Sequence, residues 1–162
     1  MLDKSAHSER LRALVESQRF AVLSTRQDDG HPYASLVAFV VSEDLRQWVF
    51  CTLRSTRKFA NLEAEGRVAM LIDNRSSDEK DLQEASAATV LGTCAEARGE
   101  ARSTLSDWFL SRHPAMTDFV RSPECAVIKV EVRAYYLVTH FQEVVELQVA
   151  QGERGETGAD AV

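Results

Sequence analysis

The stretch FAVLSTRQDDGHPYASLVAFVVSEDLRQWVFCT, residues 20–52, contains three apolar segments separated by two short polar turns. The segments are rich in β-branched and aromatic residues, which predicts three strands, at residues 20–25, 32–41 and 48–52. Asp29-Gly30 is a strong hairpin signal, because glycine adopts the positive φ that a tight turn requires. Since such short links join only antiparallel neighbours, the stretch predicts an antiparallel meander.

Similar segments follow along the chain and extend this sheet. Residues 67–73 and 87–97 are expected to form strands, with Gly92 marking a bulge or a close backbone approach, and residues 125–147 supply one or two more. Helical spacing is confined to a few shorter segments, which include residues 56–65. The sum is a mainly β, α+β architecture: a six-stranded antiparallel barrel with peripheral helices.

Length and composition limit the classes of function. The 162 residues suit one domain, which we expect over residues 1–147, followed by a polar, unstructured tail over residues 148–162. A net charge of −6 argues against nucleic-acid binding. No apolar run reaches the roughly 20 residues of a membrane span, and residues 1–10 do not resemble a secretory signal. We therefore expect a cytoplasmic location.

The turn between the third strand and the next helix concentrates positive charge. Its five residues, RSTRK at 54–58, hold three cationic side chains and two hydroxyls in an otherwise acidic chain. A helix start offers unpaired N–H groups and a partial positive charge, and arginine can bind phosphate through two parallel hydrogen bonds. The turn therefore predicts a phosphate site. A solvated basic surface turn is the other interpretation, and the residues alone leave both open.

The familiar catalytic and metal-binding patterns are absent from the sequence. It contains neither GxxxxGK[ST] nor GxGxxG, and no HExxH or CxxC spacing that would indicate a metal. The three cysteines do not form a disulfide framework. No nucleophile–base pair is visible, so the catalytic residues are left unassigned and no metal is expected. This fits a protein in which a bound cofactor carries the chemistry.

Two motifs resemble those of the FMN-binding split-barrel family, the pyridoxamine 5′-phosphate oxidase-like flavoproteins. They are D-G-x-P at residues 29–32 and S-T-R-K-x-x-N-L at residues 55–62, and the resemblance extends over residues 8–147. The segment from residue 109 to residue 141 is similar to the haem-utilisation branch of that family. The resemblance implies a six-stranded split barrel that forms a homodimer, with FMN bound at the subunit interface.

The resemblance also implies a set of cofactor contacts. The flavin ring and ribityl chain are expected to follow one strand, at Ser35, Leu36 and Val37. A second strand is expected to end near the cofactor, at Cys51 and Thr52. The phosphate is expected at the helix start, at Thr56, Arg57 and Lys58. Further contacts are expected from Asn74 and Arg75, and from Gln83 reaching across the dimer interface.

The sequence also departs from the family in two places. Ser35 and Val40 stand where the pyridoxamine phosphate oxidases carry basic residues, and their C-terminal Arg-x-His motif is missing. Oxidation of pyridoxamine phosphate is therefore not expected. Residues 139–142, THFQ, replace the Gly-Gly-Phe-Gly-like turn of the haem-utilisation branch, which argues against haem handling.

The leading hypothesis is thus an FMN-dependent oxidoreductase acting on an unidentified small molecule. One alternative is a carrier or sensor that binds FMN or haem without turnover. Another is a relative that uses a deazaflavin, although the long charged tail of that cofactor would need a second basic cluster, and none is apparent.

Overall fold

The computed structural model describes residues 6–140 and 143–150. Within them the chain forms seven strands and five α-helices. The strands are β1 (Phe20–Arg26), β2 (Pro32–Val41), β3 (Gln47–Leu53), β4 (Arg67–Asp73), β5 (Ala87–Glu96), β6 (Cys125–Thr139) and β7 (Glu143–Gln148). The helices are α1 (Ala6–Ser17), α2 (Arg57–Ala64), α3 (Asp81–Glu84), α4 (Gly99–Arg112) and α5 (Thr117–Arg121), with a 3₁₀ turn at Pro114–Met116.

Six of the strands close into a barrel. They are ordered β3-β2-β1-β4-β5-β6, and an additional β3–β6 pairing joins the two ends of that row. All the pairings are antiparallel. The predicted six-stranded antiparallel barrel with peripheral helices is therefore confirmed.

β7 lies outside this ring and prolongs the line of β3. One edge of β6 pairs first with β3, as far as Glu131 opposite Gln47, and then with β7, beginning at Ala134 opposite Gln148. At the junction the Val132 N–H donates to the Arg46 carbonyl at 2.9 Å. Two strands thus lie end to end along the 15 residues of β6.

The expected domain boundary falls at the end of β7. Gln148 is the last residue of that strand, and Val149 is buried in the barrel core. Residues 151–162, most of the expected tail, lie outside the described residues. The boundary and the unstructured tail stay predictions.

Two apolar clusters lie on opposite faces of β3. The barrel interior contains Trp48, whose indole N–H donates to the Tyr135 hydroxyl at 2.8 Å. The second cluster packs the outer face of β3 and β6 against α4, through residues such as Val49 and Phe109. Because it is covered on both faces, β3 is a continuous apolar run and does not alternate.

Two glycines have the roles that the sequence predicts. Gly30 adopts φ +86° in the β1–β2 hairpin. At Gly92 the β5–β6 register shifts, and a Cβ there would lie 2.6 Å from the Glu131 carbonyl oxygen. The bulge and the close backbone approach are both present.

The barrel is split between β2 and β3. These strands pair only from Phe39 opposite Phe50 to Val41 opposite Trp48. Beyond that point residues 51–53 pair with β6, and residues 32–38 pair with β1. The two strands therefore separate toward the end of the barrel at which α2 begins. None of the described helices is long and apolar enough to cross a membrane.

Candidate functional site

The start of α2 follows directly from the local sequence. Thr56 is the N-cap: its hydroxyl oxygen accepts from the Phe59 N–H at 3.3 Å, and the hydroxyl donates to the Leu53 carbonyl at 2.8 Å. Within the described residues the N–H groups of Arg57 and Lys58 have no protein acceptor. The turn therefore presents two free donors at the positive end of the helix.

The three positive charges of the cationic turn, residues 54–58, have two roles: Arg54 forms an internal ion pair, and the other two remain available to a ligand. Arg54 forms an ion pair with Glu96 at the end of β5, and its guanidinium lies 5.4 Å from the centre of the Phe59 ring. Glu96 is only 12% exposed and also accepts from Arg98 at 2.9 Å. The hydrogen bond from Arg54 lowers the pKa of Glu96, so the carboxylate stays charged. Arg54 therefore stabilises the turn and is not available to a ligand.

Arg57 and Lys58 are the charges left for a ligand. Arg57 is exposed, and its Nη1 donates to the side-chain oxygen of Gln27 at 2.9 Å. Lys58 is half-buried and has no polar partner among the described residues. Gln27 belongs to the β1–β2 hairpin, where its backbone bonds to His31 and Gly30. The hairpin thus orients one of the two available cations.

An open cleft of about 560 Å³ separates the hairpin from the start of α2. Its lining is polar except for Ala60, and the other lining residues are Gln27, Asp28, Asp29, Ser55, Thr56, Arg57 and Asn61. Asn61 is buried, and its amide donates to the Thr25 hydroxyl at 2.9 Å, which fastens α2 to β1. This hydrogen bond therefore fixes the position of α2 relative to β1 at the base of the cleft.

The β2 residues predicted to contact a flavin lie along the split in the barrel. Leu36 is 61% exposed and Val37 is buried, as expected for successive residues of a strand. The Ser35 Oγ is buried without a hydrogen-bond partner in the described part of the chain. An unpaired buried hydroxyl is costly unless something else binds it. This orphan group and the open strand edge fit a ligand lying beside β2.

The two residues at the end of β3 have different surroundings. The Thr52 hydroxyl lies 3.0 Å from that of Thr56, so Thr52 supports the helix cap. Cys51 packs in the second apolar cluster, under α4. A hydrogen bond with Cys125, together with burial, raises the pKa of its thiol, which therefore stays neutral. Among these two, only Thr52 is linked to the cationic turn.

Asn74, Arg75 and Gln83 are not brought to the cationic turn within one chain. Asn74 bonds to Ser86 through both backbone and side chain, and Arg75 pairs with Asp73. The register of β1 with β4 puts this segment at the end of β1 opposite the hairpin. A role for these residues in the same site needs a second copy of the chain.

Sequence reasoning missed part of the site. The sequence gives no signal for a role of Gln27 and Asp28, which precede the Asp29-Gly30 turn, and it marks Asn61 only as part of the S-T-R-K-x-x-N-L motif. Their contribution depends on the hairpin meeting α2, which periodicity does not reveal. No group of three or more potential metal-ligating side chains occurs in residues 6–140 and 143–150.

Comparison with known proteins identifies related sequences and folds. The sequence profile described as pyridoxamine 5′-phosphate oxidase matches residues 8–139. No curated protein matches the chain. The haem-binding protein of Mycobacterium smegmatis superposes with a TM-score of 0.79 at 18% identity, covering 90% of this chain. This chain spans only 59% of the length of that protein.

Two other solved structures carry the same fold. HutZ, the haem storage protein of Vibrio cholerae, has a TM-score of 0.70 at 13% identity, over 83% of this chain and 95% of its own. An FAD-binding protein of Mesorhizobium loti has a TM-score of 0.65 at 15% identity, over 82% of this chain and 93% of its own. At these identities the likeness is one of fold.

Proposed function

This chain belongs to the pyridoxamine 5′-phosphate oxidase family, and from that premise we propose that it is an FMN-binding flavoprotein that oxidises or reduces a small molecule. The observation that carries the proposal is the start of α2. There two free N–H groups, the exposed Arg57 and the unpaired Lys58 meet beside an open cleft. That donor set suits a phosphate dianion, because it offers both hydrogen bonds and full charges.

Each group at the site has a defined task in this proposal. Arg57 and Lys58 bind the phosphate, and Thr56 keeps the helix start in shape through its cap. Ser35 donates its otherwise unpaired hydroxyl to the flavin, while the edge of β2 orients the ring. When bound, FMN supplies a two-electron acceptor and donor at its ring. The protein binds, orients and partly shields that ring.

We also propose that the protein acts as a homodimer. The outer face of the barrel carries adjacent apolar side chains, since Val22 lies opposite both Leu36 and Leu71. Leu36 and Leu71 are 61% and 38% exposed, and Phe20, on the same strand as Val22, is 56% exposed. A second copy would cover this face and bring its own Asn74, Arg75 and Gln83 toward the first copy's cofactor.

A second candidate function is binding without turnover, as a carrier or sensor of FMN or haem. It is favoured by the names of two proteins of the same fold, one haem-binding and one haem-storing. The absorption spectrum of the purified protein separates the ligands, because bound flavin absorbs at about 450 nm and haem gives a Soret band. Bound flavin that no small-molecule donor reduces would favour the carrier.

The proposal is tested by removing both available cations. The double variant Arg57→Ala, Lys58→Ala should lose at least about tenfold in FMN affinity, because each charge-assisted hydrogen bond contributes about 1.5–3 kcal/mol. The measurement is quenching of FMN fluorescence on titration with the protein. As a matched control, Arg10→Ala with Arg121→Ala removes two exposed positive charges elsewhere and should bind FMN normally. Unchanged affinity in the first variant would refute the phosphate assignment.

A further inference from the structure

We infer that the cleft beside the cationic turn accepts a nucleoside joined to the flavin phosphate, as in FAD, and that the carboxylate of Asp28 binds its sugar hydroxyls. The inference rests on the proposed function, since it uses the same phosphate position. It extends the ligand from FMN to a flavin dinucleotide, and it identifies Asp28 as the residue that favours the dinucleotide.

The first argument is the position of the cleft relative to the flavin. Its lining comes from the hairpin and from the start of α2, and it includes no residue of β2. The ring, however, is expected along β2, at the residues from Ser35 to Val37. The cleft therefore continues the site beyond the phosphate, on a side that FMN leaves empty.

The second argument is size. A cleft of about 560 Å³ falls within the range of about 300–1,000 Å³ that is usual for small-molecule sites. A phosphate group uses only a small part of this volume. Ala60, on the first turns of α2, exposes a small apolar surface next to the charged groups and leaves room for a planar base.

The third argument is the chemistry of the hairpin wall. The Asp29 carboxylate accepts the His31 N–H at 2.9 Å and so belongs to the turn itself. Asp28 is exposed, and within the described residues its carboxylate has no hydrogen bond or ion pair. A carboxylate is a pure acceptor, and vicinal sugar hydroxyls are donors that acidic residues bind in other nucleotide sites.

The fourth argument is charge. The phosphate of FMN is a monoester that carries up to two negative charges, whereas each linking phosphate of FAD carries one. Both flavins therefore bring about the same total charge, so the Asp28 carboxylate, which lines the same cleft as Arg57, repels both, and its preference for FAD rests on the sugar hydroxyls. The same repulsion disfavours a polyanionic tail, which argues against a deazaflavin with a chain of carboxylates.

The test compares the dissociation constants of FMN and FAD for the purified protein and for Asp28→Ala. The variant should bind FAD about tenfold more weakly, because a hydrogen bond to a charged group is lost. It should bind FMN as well as before, or a few-fold better, because a repulsive charge is gone. Asp28→Asn, which keeps the shape of the turn, should improve FMN binding in the same way.

Glu63→Gln is the matched control. It removes an exposed carboxylate from the same helix as Ala60, but from outside the cleft, and should leave both constants unchanged. Wild-type protein that binds FMN but not FAD would overturn the inference and leave the proposed function intact. An unchanged ratio of the two constants in both Asp28 variants would also overturn it. Binding of neither flavin would refute both proposals.

Discussion

At the scale of single residues, Glu96 links two arginine-bearing segments of the fold to β5. Its carboxylate, near the end of β5, accepts from Arg54 in the cationic turn and from Arg98 just before α4. The pKa of Glu96 is lowered, with the hydrogen bond from Arg54 as the main cause. A carboxyl group with a lowered folded-state pKa stabilises the protein above its unfolded-state pKa, and that contribution disappears as the pH falls through the folded-state value.

We therefore predict that Glu96→Gln destabilises the protein by about 1 kcal/mol at pH 7, a modest value because Arg54 and Arg98 remain partly exposed to solvent. The difference from wild type should be smaller at about pH 3 than at pH 7, because the contribution declines below the ordinary glutamate pKa of about 4.3 and is lost only below the lowered folded-state pKa. Urea unfolding at both pH values provides the measurement. A difference that is as large at about pH 3 as at pH 7 would contradict the ion-pair explanation.

The cationic turn illustrates how much of the site the sequence reveals. The sequence of residues 54–64 predicts the location of the turn, its charge and the helix that follows it. It does not predict the ion pair of Arg54, because Glu96 is remote in sequence and is brought close only by the strand register. The roles of Asn74, Arg75 and Gln83 stay predictions, because within one chain the segment that holds them lies at the end of β1 opposite the hairpin.

At the scale of elements, α2 depends on its cap. We predict that Thr56→Ala lowers stability by about 1 kcal/mol, since it removes the acceptor for the Phe59 N–H and the partner of Thr52. It should also weaken FMN binding, because the turn loses its fixed shape. Thr56→Ser retains the hydroxyl and should restore both properties. Thermal unfolding and FMN titration of the two variants provide the comparison.

The bulge at Gly92 makes a second prediction about an element. A Cβ at this position would lie 2.6 Å from the Glu131 carbonyl oxygen and 2.7 Å from the Val130 Cγ1. Gly92→Ala should therefore cost about 1–3 kcal/mol, because backbone atoms cannot move aside cheaply. Thr93→Ala, at the exposed neighbouring position, should change stability by less than about 0.5 kcal/mol. Equal stabilities of the two variants would argue against the close approach.

Element boundaries were predictable where polar turns separate strands. β2 and β4 occupy the residues expected of them, 32–41 and 67–73, because polar turns or glycine bound them. For residues 125–147 the sequence predicts one or two strands, because apolar residues recur along the whole segment. The structure divides them between the long β6 and the outlying β7.

At the scale of the whole molecule, the exposed apolar face is the feature to test. We predict that Leu71→Glu yields a monomer with reduced FMN binding, because a charge in the proposed interface opposes association and the second copy's contacts are lost. Val144→Glu, at an exposed apolar position on β7, is the control and should remain dimeric. Analytical ultracentrifugation gives the masses. A wild-type monomer would rule out the proposed dimer.

Periodicity alone indicates the strands and their antiparallel order, but not which strands close the barrel. Closure pairs β3 with β6, and helices α2 to α5 lie between them in the chain. The strand pattern and the family resemblance both predict a six-stranded barrel without naming this pair, and the identity of the cofactor and the dimer stay proposals.

The β3–β6 closure has a consequence for biosynthesis. Until Cys125 and the residues after it have left the ribosome, the emerging chain holds only five of the six ring strands, in an open sheet with β3 and β5 as its two free borders. Unpaired strand edges of this kind pair readily with strands of other chains. Synthesis of β6 therefore pairs both of these free edges, and a chain interrupted before Cys125 keeps them exposed and prone to aggregation.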